Sequence, residues 1–178
     1  MLPRAVLVGL PGVRALFPQI TKFGSTGPNR TAPGHPLATR QVIYQNAEGQ
    51  KVTISVDLYP NHQSALTAFD EAKEQSAAVP GFSRLPAPKV GQESFAGTVT
   101  QGSEVHVGIG VLNGREVIGA TTAGFPSDTE TIDNLTTLTR LQVFKASILN
   151  FPCFPGPLNR LWQGVSAGVD RAGISSGS

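Results

Sequence analysis

The stretch from His106 to Thr122, HVGIGVLNGREVIGATT, decides how this chain is read. Its glycines Gly108, Gly110 and Gly114 belong either to a phosphate-cradling loop or to a β-hairpin. A dinucleotide loop needs G-x-G-x-x-G between a strand and a helix, so that the helix N-terminus faces the pyrophosphate. Here the spacing is G-x-G-x-x-x-G, and a second alternating segment follows instead of a helix. No Gly-Lys-Ser/Thr pattern occurs anywhere in the chain. Val105, Val107, Ile109 and Val111 alternate with Glu104, His106, Gly108 and Gly110, the period of a half-buried strand. Leu112-Asn113-Gly114 turns the chain, and Asn-Gly between alternating strands is the strongest short-range hairpin signal. The stretch is a hairpin.

Working outward, Val52, Ile54, Val56 and Leu58 alternate with Thr53, Ser55, Asp57 and Tyr59. Gln41–Gln45 pairs with this strand across NAEGQ, where Gly49 suits a left-handed turn position. Pro60 ends the strand and Asn61 is the predicted N-cap of a helix carrying Ala65, Leu66, Phe69 and Ala72. Residues 78–91 read as a Pro-rich connection, and residues 21–36 as a loop. Residues 93–100, ESFAGTVT, alternate again, with Phe95 and Val99 on one face and Ser94, Thr98 and Thr100 on the other. After the His106–Thr122 hairpin, Ser127 and Glu130 form a capping box. The helix they open buries Ile132, Leu135, Leu138, Leu141, Gln142, Ala146 and Leu149 along one face.

The order hairpin, aromatic-Pro-cap, helix thus occurs twice, at Tyr59-Pro60-Asn61 and at Phe125-Pro126-Ser127. Two such ββα units with a strand between them predict an α+β fold, an antiparallel sheet of about five strands with helices packed on one face. Residues 1–150 form one domain. The start of the chain reads as a short helix with Pro3 in its first turn and Val6, Leu7 and Leu10 facing a core, rather than as a signal peptide. Residues 151–178 read as a tail in which Leu158, Leu161, Trp162, Val165 and Val169 keep a helical period. The tail either docks on its own domain, is exchanged between subunits, or frays.

Composition narrows the function classes. The chain has 178 residues, of which 39% are hydrophobic and only 15% charged, with a net charge of +2. Lys and Arg are scattered without a run or stripe, so nucleic acid is not an expected partner. No apolar run reaches the roughly 20 residues a transmembrane helix needs. Cys153 is the single cysteine, which excludes an internal disulfide and a cysteine-based metal cluster.

Few residues invite chemistry. His35, His62 and His106 show no ligand spacing, no G-x-S-x-G elbow occurs, and Cys153 has no neighbouring histidine in sequence. No catalytic residue, metal or cofactor is assigned. The acceptor patterns Asn29-Arg30-Thr31 and Asn134-Leu135-Thr136 match glycosylation sites of a kind frequent by chance. What remains is the sheet face opposite the helices. Glu104, His106, Gly108 and Gly110, with Thr53, Ser55, Asp57, Ser94, Thr98 and Thr100, would make a flat and nearly bare platform. From it Glu104, His106, Gly108, Gly110, Thr53, Ser55 and Thr98 are the candidate ligand-binding residues, and Glu104 could orient the His106 imidazole.

The segment from VTISVDLYP through KVGQESFAGTVTQGSEVHVGIGVLNGREVIGATTAG resembles small exported or envelope-associated bacterial domains of unknown function, over roughly Gln41 to Leu149. Its element order is similar to PsbP-like α/β sandwiches, in which helices flank an antiparallel sheet. The resemblance implies a periplasmic or extracellular domain, with the cytoplasm left open, and transfers no catalytic residue. The expectation is a non-enzymatic domain that binds a small ligand or a protein partner. The alternatives are an enzyme with a spatially assembled His/carboxylate site, and a structural module that homodimerises through the sheet face or the Trp162 tail.

Overall fold

A computed structural model describes residues 1–149. The tail at 151–178, with Cys153 and Trp162, lies outside them. A 3₁₀ turn at Arg4–Val6 leads into α1 (Leu10–Leu16), followed by β1 (Lys22–Gly27), β2 (Ala38–Gln45) and β3 (Lys51–Leu58). Then come α2 (His62–Ala77), β4 (Phe82–Leu85), β5 (Glu93–Gln101), β6 (Glu104–Asn113), β7 (Glu116–Ala123) and α3 (Thr129–Leu149). The strands form one antiparallel sheet of seven in the order β1-β2-β3-β7-β6-β5-β4.

The sheet is α+β as expected but wider than five strands, because both edges come from segments that read as loops. Residues 22–26 are all exposed, so no apolar alternation betrays β1. The register of β1 on β2 slips between Phe23 and Ser25, a bulge that bends this edge away from flat pairing. At the other edge β4 is four residues long and its central pair is exposed.

The apolar face is the predicted one. Val52, Ile54 and Val56 of β3, Val107, Ile109 and Val111 of β6, and Ile118 and Ala120 of β7 are buried in the main core. On this face α3 presents Leu135, Leu138 and Ala146, and α1 presents Val13. Leu141, expected in the same stripe, is 44% exposed. The first turn of α3 is capped by Asp128, whose Oδ1 accepts from the Thr131 N–H at 2.8 Å; the capping residue is thus one position beyond Ser127. Asn61 caps α2 as predicted, accepting from the Ser64 N–H at 2.8 Å.

The helices are not all on one face. While α3 and α1 cover the valine-rich side, α2 packs on the opposite side against β6, β7 and β4. There Tyr59, Ala65, Ala68, Phe69, Leu112 and Val117 form a smaller, separate core. The two ββα units are real as a sequence of elements, but their helices lie on opposite sides of the sheet. The β6–β7 turn is also shifted by one residue: Asn113 pairs with Glu116, leaving Gly114 (φ 63°) and Arg115 as the two loop residues.

The segment Val6–Val8, where the chain leaves the 3₁₀ turn, is fastened between α3 and the sheet. Gln142, wholly buried, accepts from the Val8 N–H at 2.9 Å through Oε1 and donates through Nε2 to the Val6 carbonyl at 2.8 Å. Lys145 Nζ donates to the Leu7 carbonyl at 2.6 Å, and the Tyr44 hydroxyl to the Val8 carbonyl at 2.8 Å. A side-chain amide here replaces the strand partner this backbone lacks. Gln142→Ala would orphan two buried main-chain groups, each costing about 1–3 kcal/mol. We expect its urea midpoint to fall by the equivalent of about 2–4 kcal/mol. Arg140→Ala, on the exposed side of the same helix, should stay within about 0.5 kcal/mol of wild type.

Candidate functional groove

The second sheet face, the predicted platform, has a register that places its residues in cross-strand rows. One row runs Ser55–Gly119–Gly110–Phe95, and the next Thr53–Thr121–Gly108–Gly97. A third brings Asp57, Val117 and Leu112 together, and a fourth Ala123, His106, Val99 and Phe82. The face is therefore rich in small residues, as the sequence suggested, but it is not bare.

Two phenyl rings lie on it. A Cβ at Gly110 would come within 2.3 Å of the Phe95 ring, and one at Gly97 within 2.3 Å of the Phe82 ring. Glycine at these positions lets an aromatic side chain lie flat on the sheet backbone. The Phe95 ring also meets Phe69 of α2 edge-on, with centroids 5.4 Å apart. Gly108 differs, because a Cβ there would meet only Thr121 Cγ2 at 3.5 Å. The bare part of the platform is thus one strip at Gly108.

This arrangement corrects the expected parity of β5. Thr98 pairs with Val107, Ser94 with Val111 and Thr100 with Val105, so all three belong to the α3 side of the sheet. Phe95 and Val99 take the platform side instead. The aromatic ring fills the space that glycine vacates and finds apolar cover in α2, which outweighs the expectation that Phe95 joins the main core.

Two elements wall the platform and leave a groove of about 430 Å³ between them, within the size range of small-molecule sites. On one side stand Ala72, Gln75 and Ser76 of α2 with Val79 just beyond it; on the other the β1–β2 loop brings Asn29, Thr31 and Pro33. The floor is Ser55, Gly108, Gly119 and Thr121, flanked by Phe95 and Phe82. The loop is held by its own polar side chains. Asn29 Nδ2 donates to Asp57 Oδ2 at 2.7 Å, while Asn29 Oδ1 accepts from the Thr31 N–H and hydroxyl at 3.2 and 2.9 Å. The Tyr59 hydroxyl donates to the Pro33 carbonyl at 2.8 Å, and burial beside Asp57 raises its pKa.

Asp57 is the chemically distinctive group. It is 3% exposed and lines the groove, and burial pushes its pKa up to about 7 against the pull of the Asn29 hydrogen bond. Its Oδ2 is bonded to Asn29, whereas Oδ1 has no hydrogen-bond partner among the described residues. Strand alternation placed Asp57 on the platform but could not distinguish it from a solvated carboxylate. Asn29 was read only as a chance glycosylation match, and its amide is instead committed to Asp57.

Of the candidate residues, Ser55, His106, Gly108 and Gly110 line the groove. Thr53 shares the face, opposite Thr121, without lining the groove, and Thr98 is on the other side of the sheet. Glu104 is beside His106 at the margin, Oε2 to Nε2 3.9 Å, too long for a hydrogen bond. His62 is elsewhere, with Nδ1 2.7 Å from the Gly114 carbonyl.

Two measurements check this geometry. Gly110→Ala forces the Phe95 ring to move and should cost about 1–3 kcal/mol in urea unfolding. Gly108→Ala should be neutral or stabilise by up to about 1 kcal/mol, since the methyl group enters open space in a strand. Asp57 titrates at about 7 when folded against an ordinary value of 3.8. Between those values the folded chain holds a proton that the unfolded chain has lost, so this group's contribution to stability declines as pH rises through the window. The stability of wild type relative to Asp57→Asn should therefore drop by on the order of 4 kcal/mol from pH 4 to pH 8.

No protein-family model matches the chain, and no curated protein matches it. Among solved structures it is similar to the extracellular domain of PknH from Mycobacterium tuberculosis, with a TM-score of 0.57 and 10% identity over 79% of this chain and 94% of that one. LpqN, involved in cell envelope biogenesis in the same organism, aligns at a TM-score of 0.38 and 10% identity over 66% of this chain and 88% of its own, too low to carry an argument. Neither comparison carries the PsbP-like resemblance. At 10% identity, what the chain shares with the PknH domain is the fold.

Proposed function

We propose that this chain is a ligand-binding domain of the bacterial cell envelope and that the groove over Gly108 is its site. One observation carries the reading. The sheet leaves a flat strip uncovered between α2 and the β1–β2 loop, and the buried Asp57 is among the residues that line it. A domain evolved only for packing would close such a strip with a side chain, as Phe95 and Phe82 close the positions beside it. Concave, mainly apolar sites with a few convergent polar groups are the usual form of small-molecule sites.

The envelope setting rests on the fold shared with an extracellular domain and on a surface covered by uncharged polar residues. No described helix is long and apolar enough to cross a membrane. An enzymatic reading is less favoured. The His106–Glu104 distance exceeds hydrogen-bond reach, and His62 is engaged by a backbone carbonyl.

The test is a thermal-shift screen of metabolites on wild type and Gly108→Val, whose side chain would stand in the strip. A compound at 100 times its dissociation constant stabilises by about 2.7 kcal/mol. Hits should move the melting temperature of wild type and leave that of Gly108→Val unchanged. Compounds that shift both proteins alike would rule out the groove.

A further inference from the structure

The outward face of α3 changes character along its length. Toward the start of the helix it carries Glu130, Asp133, Thr137 and Arg140, all exposed and all polar. Toward the end it carries Leu141, Phe144 and Ile148, which are 44%, 66% and 52% exposed. Their spacing of i, i+3 and i+7 puts the three on one line of the helix, in continuation of Glu130 and Thr137. The inner side of the same turns is already engaged, since Gln142 and Ala146 are wholly buried and Lys145 is bonded to the Leu7 carbonyl. Single exposed apolar side chains are ordinary. A contiguous apolar stripe on an otherwise polar face marks a surface that something covers.

Two properties of the chain say what the cover is. The stripe is small: three side chains fall well short of the roughly 20–30 residues per side that a stable contact between separate molecules uses. A segment tethered to α3 needs far less, because attachment alone supplies an effective concentration on the order of millimolar. The sequence that follows α3 also matches the stripe. Pro152, Pro155 and Pro157 are residues that end a helix rather than extend it. After them Leu158, Leu161, Trp162, Val165 and Val169 recur at a helical period. The link at 150–157 is eight residues, within the range of about 2–8 that joins neighbouring helices in bundles. As a helix, residues 158–169 would be about 18 Å long, which laid back along α3 reaches from its end to about the level of Thr137. There the outer face of α3 passes from apolar to polar. The stripe stops where a returning segment of this length would stop.

We propose that the stripe of Leu141, Phe144 and Ile148 is the docking surface of the chain's own segment 158–169, which returns antiparallel to α3 and sets Leu161, Trp162 and Val165 against it.

Trp162 is the only tryptophan in the chain, so its fluorescence reads this contact without a label. In the full chain its emission should lie to the blue of free N-acetyltryptophanamide and resist acrylamide quenching, independent of protein concentration and with a monomeric mass by light scattering. Phe144→Ser and Leu141→Ser should each shift the emission to the red and restore quenching. Phe144→Leu, which keeps an apolar side chain, should retain the native spectrum, and Arg140→Ala should leave it unchanged. Emission equal to that of the free indole in wild type would overturn the proposal, as would a blue emission indifferent to both serine variants. A blue emission that reddens on dilution as a dimeric mass is lost would also overturn it, and would assign the stripe to a second copy. Phe144 belongs to neither buried core, so its replacement removes no core contact, and the wild-type measurements stand even where a variant is unstable.

Discussion

The contact on which the molecule's second face depends is the Phe95 ring lying on Gly110. It determines three things at once. It fixes which alternate set of β5 side chains faces α2, because the ring fits only where β6 offers no side chain. It gives α2 its principal aromatic partner through Phe69, and with it the helix's place over β6 and β7. By covering Gly110 and leaving Gly108 open, it also divides the platform into a packed part and a groove. A close-packed interior tolerates few empty positions, so the strip at Gly108 stands out against its filled neighbours.

Much of the sheet was legible in the sequence because its central strands obey a simple rule. β3 and β6 each alternate valine or isoleucine with small or polar residues and bury the apolar set, and β7 adds Ile118 and Ala120 to the same core. The edges did not announce themselves for the opposite reason. Residues 22–26 are exposed throughout and show no buried alternate set, and Phe82–Leu85 is too short to show a period. In β5 the alternation was correct and its orientation reversed, since period alone cannot tell which of two covered faces takes the aromatic set. The assumption of helices on one face failed at the same point. α2 has a narrow apolar stripe, Ala65, Ala68 and Phe69, matched to the small core around Leu112 and Val117. Nothing local to α2 says which side of the sheet it will cover. The candidate site was half visible: Gly108, Ser55 and His106 follow from strand parity. Asp57 and Asn29 acquire meaning only when a loop and a strand distant in sequence are brought together.

The two faces also differ in how firmly they are covered. α3 is held by a continuous core and by the Gln142 and Lys145 contacts to the Val6–Val8 segment. α2 rests on far fewer buried side chains. Elements with little buried apolar area open at lower free energy than the global unfolding cost. The wall of the groove formed by α2 is therefore the part of the fold best suited to yield to an incoming molecule, whereas the floor belongs to the most deeply paired strands.

That floor has a kinetic meaning as well. Ser55 comes from β3, Gly119 and Thr121 from β7, and Gly108 from β6. The β2–β3 and β6–β7 hairpins are local and close quickly, but β3 joins β7 across a long intervening stretch that includes α2, β4, β5 and β6. Bringing such distant segments together is the slow part of folding. The groove thus comes into being only when the two halves of the sheet have been stitched, at the seam between them. A molecule lying across that seam would act as a clasp on the whole sheet and would resist its separation into halves rather than the fraying of either edge.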